Sequence, residues 1–267
     1  MIQRIQWYVE HLLGAQPARR IHSPFVANLA SNILPHQPSL MGQRFEQLRK
    51  SLLLSKEEIC FDDLGAGFGG KGAARACKPL GYMVRRSARH RREGELLFRL
   101  ARFQKAQRCL ELGTHLGFSG LYQMAGLQKD ARFITIEGAP EVARVAASHF
   151  SQFNFSPEQH IGDFAQVLPT LKLAEYQPDW VLLDGNHRYE ATLEYANQIL
   201  PHMPSGSLMI LDDIYWSAGM KKAWEELIQD DRISLSIDLF HIGLLFVNGK
   251  QAREHFRLLP FYTNFTP

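Results

Sequence analysis

The sequence predicts an α/β fold: a mostly parallel sheet with helices between its strands, preceded by a helical region. Three observations carry this. From Arg108 onward, short apolar runs alternate with helix-period stretches. Those runs are apolar nearly throughout, as strands covered on both faces are. Before about residue 58 only helical spacing is visible.

In order, Ile5, Tyr8, Val9, Leu12 and Leu13 recur at helical spacing until Gly14 and Pro17 stop the run. Ser23-Pro24 reads as the cap and first turn of a second helix. Gln43 to Leu54 reads as a third, and Glu93 to Phe103 as another. Strands are predicted at Arg108–Leu112, Phe133–Glu137, Gln159–Ile161, Trp180–Leu183 and Leu208–Leu211, with helices such as Pro140–Phe150 and Tyr189–Leu200 between them. Ser217–Gln229 is a further helix. Ile233–Leu239 and Ile242–Val247 are close enough to pair as a hairpin. No internal repeat or low-complexity segment is visible.

The 267 residues suggest one large domain, or one domain with an extension, at roughly 150 residues per domain. Hydrophobic residues make up 45% and charged residues 21%, an ordinary globular composition that argues against disorder, collagen or coiled coil. With 30 Lys plus Arg against 27 Asp plus Glu, the net charge of +3 does not demand nucleic acid as a partner and leaves it open. Cys60, Cys77 and Cys109 have the spacing of neither a zinc site nor a disulfide framework, so the expected setting is reducing and cytoplasmic. No apolar run approaches the length of a membrane span, and Met1 to Leu13 does not read as a signal peptide.

Two glycine-rich loops compete for a ligand. Asp63-Leu64-Gly65-Ala66-Gly67-Phe68-Gly69 follows only a weak strand and leads into a basic stretch, Lys71 to Arg92, with eight Lys or Arg and no acid. A locally structural turn is its plain explanation. Leu110 to Gly120 has the fuller context: a strand, a turn opened by Gly113 and Gly117, a helix from about Ser119, then a second strand ending in Glu137, 26 residues after Glu111. A carboxylate there can accept both hydroxyl protons of a ribose.

At these residues the chain resembles the class I S-adenosylmethionine-dependent methyltransferases. Glu111-Leu112-Gly113-Thr114-His115-Leu116-Gly117-Phe118-Ser119 is similar to their first motif in its small-molecule O-methyltransferase form. Ile136-Glu137-Gly138 resembles the ribose-binding strand end, and Gly162-Asp163-Phe164 sits where the family contacts the adenine. Asp179 to Tyr189 resembles the fourth-strand motif, and Gly206 to Asp213 the fifth strand. The resemblance runs from about Glu93 to Asn248. It implies a Rossmann-like seven-stranded sheet with strand 7 antiparallel, a transferase domain over 93–267, and a helical region over 1–92 that covers the site or makes a homodimer. His115 stands where a dinucleotide loop would carry its middle glycine, which disfavours a nicotinamide oxidoreductase.

The resemblance assigns the cofactor to Glu111, Gly113, Thr114, His115, Gly117, Ser119, Glu137, Gly138, Asp163, Phe164 and Asp184. Asp184, Asp212 and Asp213 match the family's metal positions, and an all-oxygen set suits Mg²⁺ or Mn²⁺. The Asp-Asp pair departs from the commoner Asp-Asn. His187 matches the histidine base of the macrolide-sugar branch rather than the lysine of the catechol branch, and an imidazole is suited to taking a hydroxyl proton near neutrality. Asp184 and His187 are therefore the expected catalytic pair. A small hydroxylated molecule is the expected acceptor, with no membrane involved. The plain alternatives are caps for Asp184 and Asp212-Asp213, a surface position for His187, and a solvated face for Arg85, Arg86, Arg89, Arg91 and Arg92; that run could also steer an anionic substrate or carrier partner. Tyr215 and Trp216 could wall the pocket or pack in the core. His22 and Phe25 could belong to a lid. A transferase acting on RNA or protein and a non-catalytic S-adenosylmethionine-binding module are the competing functions. Against the first, Asp184-Gly185-Asn186-His187 lacks the Pro-Pro-aromatic element of base N-methyltransferases.

Overall fold

The computed structural model describes residues 2–17, 20–34, 37–62, 75–249 and 253–259. Its elements run, in order, α1 (Ile2–Gly14), α2 (Pro24–Ile33), α3 (Leu40–Leu52), β1 (Glu58–Asp62), β2 (Arg75–Pro79), α4 (Leu80–Ser87) and α5 (Arg91–Gln104). The alternating part follows: β3 (Arg108–Leu112), α6 (Phe118–Gly126), β4 (Arg132–Glu137), α7 (Pro140–Gln152), β5 (Glu158–Ile161), α8 (Phe164–Val167), α9 (Leu173–Tyr176), β6 (Trp180–Leu183), α10 (Tyr189–Ile199) and β7 (Leu208–Asp212). It closes with α11 (Ala218–Leu227), β8 (Ile233–Asp238), β9 (Ile242–Val247) and β10 (Glu254–Arg257).

The main sheet has the order β10-β8-β9-β7-β6-β3-β4-β5. Strands β5, β4, β3, β6 and β7 are parallel, and β9 enters antiparallel between β7 and β8. The expected seven-stranded arrangement is present, with β9 as its antiparallel strand. An eighth strand, β10, extends the edge by pairing parallel to β8. It is short, and nothing in its sequence marks it as a strand apart from the neighbour it joins.

Alternation along the strands splits the core into two layers. Leu110 and Leu112, Ile134 and Ile136, Val181 and Leu183, and Met209 and Leu211 face one side with residues of α10 and α11. Cys109, Phe133, Trp180, Leu182, Leu208 and Ile210 face the other, against α2 and α5. With both faces covered, β6, β7 and β9 are buried along their whole length. Trp180 pairs its indole with the interior as well: Nε1 donates to Gln123 Oε1 at 2.7 Å.

The N-terminal helices dock on this sheet. Trp7 and Tyr8 of α1 pack on Tyr215 and Phe240, with ring centroids 6.0 and 4.8 Å apart. His11 Nδ1 lies 3.3 Å from Asp238 Oδ1. Ser23 takes the expected capping position with Pro24 in the first turn, but its side chain makes no cap hydrogen bond. Ser39 does cap α3, accepting from Gly42 N at 2.9 Å.

Residues 58 to 79 correct one expectation. β1 and β2 form a separate antiparallel pair that sets Cys60 opposite Cys77, and the two are joined in a disulfide. Their spacing, 17 residues apart, resembles no familiar framework because the hairpin alone brings them together. Cys109 is buried and free. The loop Asp63–Gly69 lies outside the described residues, but its flanks form an antiparallel pair rather than the strand, turn and helix of a nucleotide loop.

Candidate active site

Two cavities open at the C-terminal ends of β3, β4, β6 and β7, where ligands bind in open α/β sheets. The first is lined by Gly113, His115, Glu137, Gly138, Gly162, Asp163, Phe164, Asp184 and Asn186, with Phe61 and Asp62 of β1, Ala139, Val142, Gly185 and Tyr195 completing its wall. The second is lined by Thr114, His115, Leu116, Phe118, Ser119, Asp184, His187, Asp212, Asp213, Trp216 and His241, with Arg4 of α1 and Arg86, Ala88, Arg89, His90 and Glu93 at its other side. Gly113, His115 and Asp184 line both.

The loop after β3 shapes the boundary. Gly113 and Gly117 take φ of +106° and +79°, a region where a side chain is strained. The amides of Gly113 and Thr114 donate to Ile136 O at 3.0 and 3.2 Å, tying the loop to β4. His115 N donates to Glu137 Oε2 at 2.7 Å, and Ala139 N to Glu137 Oε1 at 3.0 Å, which aims that carboxylate at the first cavity. Asp163 accepts from Ala165 N at 2.8 Å, so it caps α8 as well as lining the cavity.

Several predicted cofactor residues therefore converge: Gly113, His115, Glu137, Gly138, Asp163, Phe164 and Asp184 share one wall. Thr114 and Ser119 line the second cavity instead. Gly117 lines neither and packs on Phe150 and Ala146. Glu111 also lines neither. It is wholly buried, accepting from Gln123 Nε2 at 2.6 Å and Thr135 Oγ1 at 2.7 Å, and burial pushes its carboxyl up to about 7. Sequence reasoning missed Phe61, Asp62, Asn186 and Tyr195. The Asn186 position, inside the fourth-strand motif, was the available signal.

The first cavity fits an S-adenosylmethionine-type cofactor on its own features. Two buried polar atoms there, His115 Nδ1 and Asn186 Oδ1, have no hydrogen-bond partner. Such atoms are costly unless a ligand satisfies them. Burial lowers His115 to about 4, so its ring is neutral and offers a donor or an acceptor without charge.

The second cavity holds the acids. Among the described residues, Asp184, His187 and Asp212 bring one donor atom each within 4.8 Å of one another. Asp213, expected as the third ligand, lines the cavity but stands outside that group; its φ is +51°, and burial beside Asp212 pushes its carboxyl up to about 7. Tyr215 turns into the core, donating to Asp238 Oδ2 at 2.8 Å, whereas Trp216 is half exposed at the rim under Arg4, 5.0 Å from its ring centroid. His22 and Phe25 line neither cavity.

Arg89, read in the sequence as part of a solvated basic run, is buried here. Its guanidinium donates to Asp212 Oδ1 at 2.5 Å, bonds Asp184 Oδ2, and lies 3.6 Å from Glu93. Burial disfavours the Asp212 carboxylate, but Arg89 outweighs it and holds that group below the usual range. Burial raises Asp184, with Arg89 offsetting part of the rise and Asp212 adding to it. Burial lowers His187, so the imidazole is neutral at pH 7. Arg89 thus bridges the two acids at the place where an Mg²⁺ or Mn²⁺ ion bound by them would sit.

A family model described as a methyltransferase domain matches residues 110–214. A protein of Mycobacterium sp. (strain JLS), provisionally named an O-methyltransferase, is 36% identical over 95 residues, which is 35% of this chain and 43% of that protein. The catechol O-methyltransferase of Niastella koreensis is 29% identical over 125 residues, 46% of this chain and 56% of that one. The chain thus spans about half the length of the curated relatives it matches. Among solved structures, the Streptomyces achromogenes O-methyltransferase TomG, in complex with S-adenosylmethionine, is 25% identical with a TM-score of 0.53, covering 61% of this chain and 82% of that chain. A Podospora anserina methyltransferase shares the fold at a TM-score of 0.58 and 16% identity, covering 84% and 93%. No described helix is long and apolar enough to cross a membrane. Residues 110–214 match a methyltransferase domain, and O-methyltransferases are among the relatives the chain resembles.

Proposed function

We propose that the protein transfers the methyl group of S-adenosylmethionine to a hydroxyl oxygen of a small molecule. One observation carries the reading: a cavity lined by Glu137, Asp163, Phe164 and Asn186 and a cavity holding an imidazole and acids share the rim of Gly113, His115 and Asp184. A sulfonium methyl held at that rim would face an acceptor held against His187.

Within this reading Glu137, Asp163 and the unpaired atoms of His115 and Asn186 bind the cofactor. His187 takes the hydroxyl proton as the oxygen attacks the methyl carbon in line. The carbon–sulfur bond breaks and its electron pair returns to sulfur. Holding both reactants in two walled cavities supplies much of the acceleration. The convergence of Asp184, His187 and Asp212 favours a second reading, in which Mg²⁺ or Mn²⁺ assists; Arg89 stands against it.

Calorimetric titration of S-adenosylmethionine into the full chain, followed by a screen of hydroxylated acceptors with labelled cofactor, tests the proposal. Saturable cofactor binding and label transfer that His187→Gln removes are the expected results. No cofactor binding would overturn it. Cofactor binding with transfer only to RNA or protein would replace the acceptor class.

A further inference from the structure

We infer that Arg89 is the resident cation of the acidic site: its guanidinium stands between Asp184 and Asp212 in place of a divalent ion, and methyl transfer here proceeds without one. The inference rests on the transferase reading above and concerns only what neutralises the acids.

Three observations support it. The first is geometry. The guanidinium bridges the two carboxylates that would be the first ligands of an ion, at 2.5 Å from Asp212 and bonded to Asp184. A planar fork suits two carboxylates at once in a way a lysine does not. The second is burial. The Arg89 side chain is 5% exposed, against 10% for Asp212 and 20% for Asp184. A charge that deep is retained only where it is paired. A divalent ion entering beside it would meet strong repulsion in a site screened from water. The third is anchorage. The backbone carbonyls of Ala88 and Arg89 accept from Arg49 of α3, at 3.3 Å in the case of Ala88, and Arg49 itself lies over the Phe118 ring at 4.5 Å. The segment between α4 and α5 is therefore held in place from a second helix, and the guanidinium is part of a built arrangement.

The chemistry balances without a metal. The acceptor proton passes to His187, the oxygen–carbon bond forms, the carbon–sulfur bond breaks, and neutral S-adenosylhomocysteine leaves. Arg89 is a positioning residue: it fixes the two acids against each other beside His187.

The test titrates Mn²⁺ into the full-length wild type, Arg89→Ala, Arg89→Lys and the double variant Arg89→Ala/Asp212→Ala, following loss of the free-ion paramagnetic signal. S-adenosylmethionine titration into each variant reports folding. The wild type and Arg89→Lys are expected to show no saturable Mn²⁺ binding, and chelator is expected to leave wild-type transfer unchanged. Arg89→Ala is expected to gain affinity by about tenfold or more, as removal of a like charge from a buried site should, and the double variant to lose that gain. Saturable Mn²⁺ binding by the wild type, or none by a folded Arg89→Ala, would overturn the inference. If Arg89→Ala does not fold, Arg89→Met keeps the volume without the charge and takes its place. A wild type that binds no S-adenosylmethionine would instead undo the transferase reading, a result distinct from any Mn²⁺ outcome.

Discussion

Gly113 and Asp184 touch where the two cavities meet: a Cβ on Gly113 would run into the carbonyl oxygen of Asp184. With φ at +106°, the same position also strains any side chain. Gly113→Ala is expected to weaken S-adenosylmethionine binding by about fivefold to a hundredfold, from backbone strain of order 1–3 kcal/mol, because the loop must shift away from β6. Calorimetry on the variant checks this, and unchanged affinity would show that the rim does not hold the cofactor.

His187 should act as a base only when neutral. Burial lowers its pKa from 6.5, so the acid limb of the rate profile is expected below that value, with full rate above it. His187→Gln should slow transfer by about a hundredfold or more while leaving cofactor affinity as it was. A profile with the same acid limb in the variant would assign that limb to another group.

Glu111 gives the fold a pH signature. Its carboxyl rises from 4.5 to about 7 in the folded chain, so the folded state binds a proton that the unfolded state has released in that window. Stability from this group is full below pH 4.5 and is lost as pH rises to about 7, by roughly 3 kcal/mol in all at about 1.4 kcal/mol per unit. Glu111→Gln should flatten that part of the stability curve in denaturant melts at stepped pH. An unaltered slope would remove Glu111 as its source.

The Cys60–Cys77 bond closes a hairpin whose Phe61 and Asp62 line the first cavity. A loop of this length contributes on the order of 3 kcal/mol by constraining the unfolded chain. Reductant should lower the melting temperature and weaken cofactor binding several-fold in the wild type. The Cys60→Ser/Cys77→Ser variant should be insensitive to reductant. Equal response in both would place the effect elsewhere.

The parallel strands and the loop from Gly113 to Gly117 were legible in the sequence because their signals are local. An apolar run of four or five residues, a glycine turn and an acid at the next strand end need only neighbouring residues to be read, and Glu137, Asp184 and Asp212 could be placed at strand ends from that pattern, whereas Asp163 and His187 were singled out by the family resemblance. The edge strand β10 was not legible, since its pairing with β8 depends on a partner that its own residues do not specify.

The sequence by itself determined the alternating α/β order and which strand ends carry acids and the imidazole. Only the tertiary structure decided what those groups meet. Arg89 reaches Asp184 across 95 residues and Asp212 across 123, and His187 rather than Asp213 joins their donor cluster. Periodicity and turn chemistry act over a few residues, whereas burial of a charge depends on which distant helix covers it; a run of arginines reads as solvated until the chain folds one of them onto the acids.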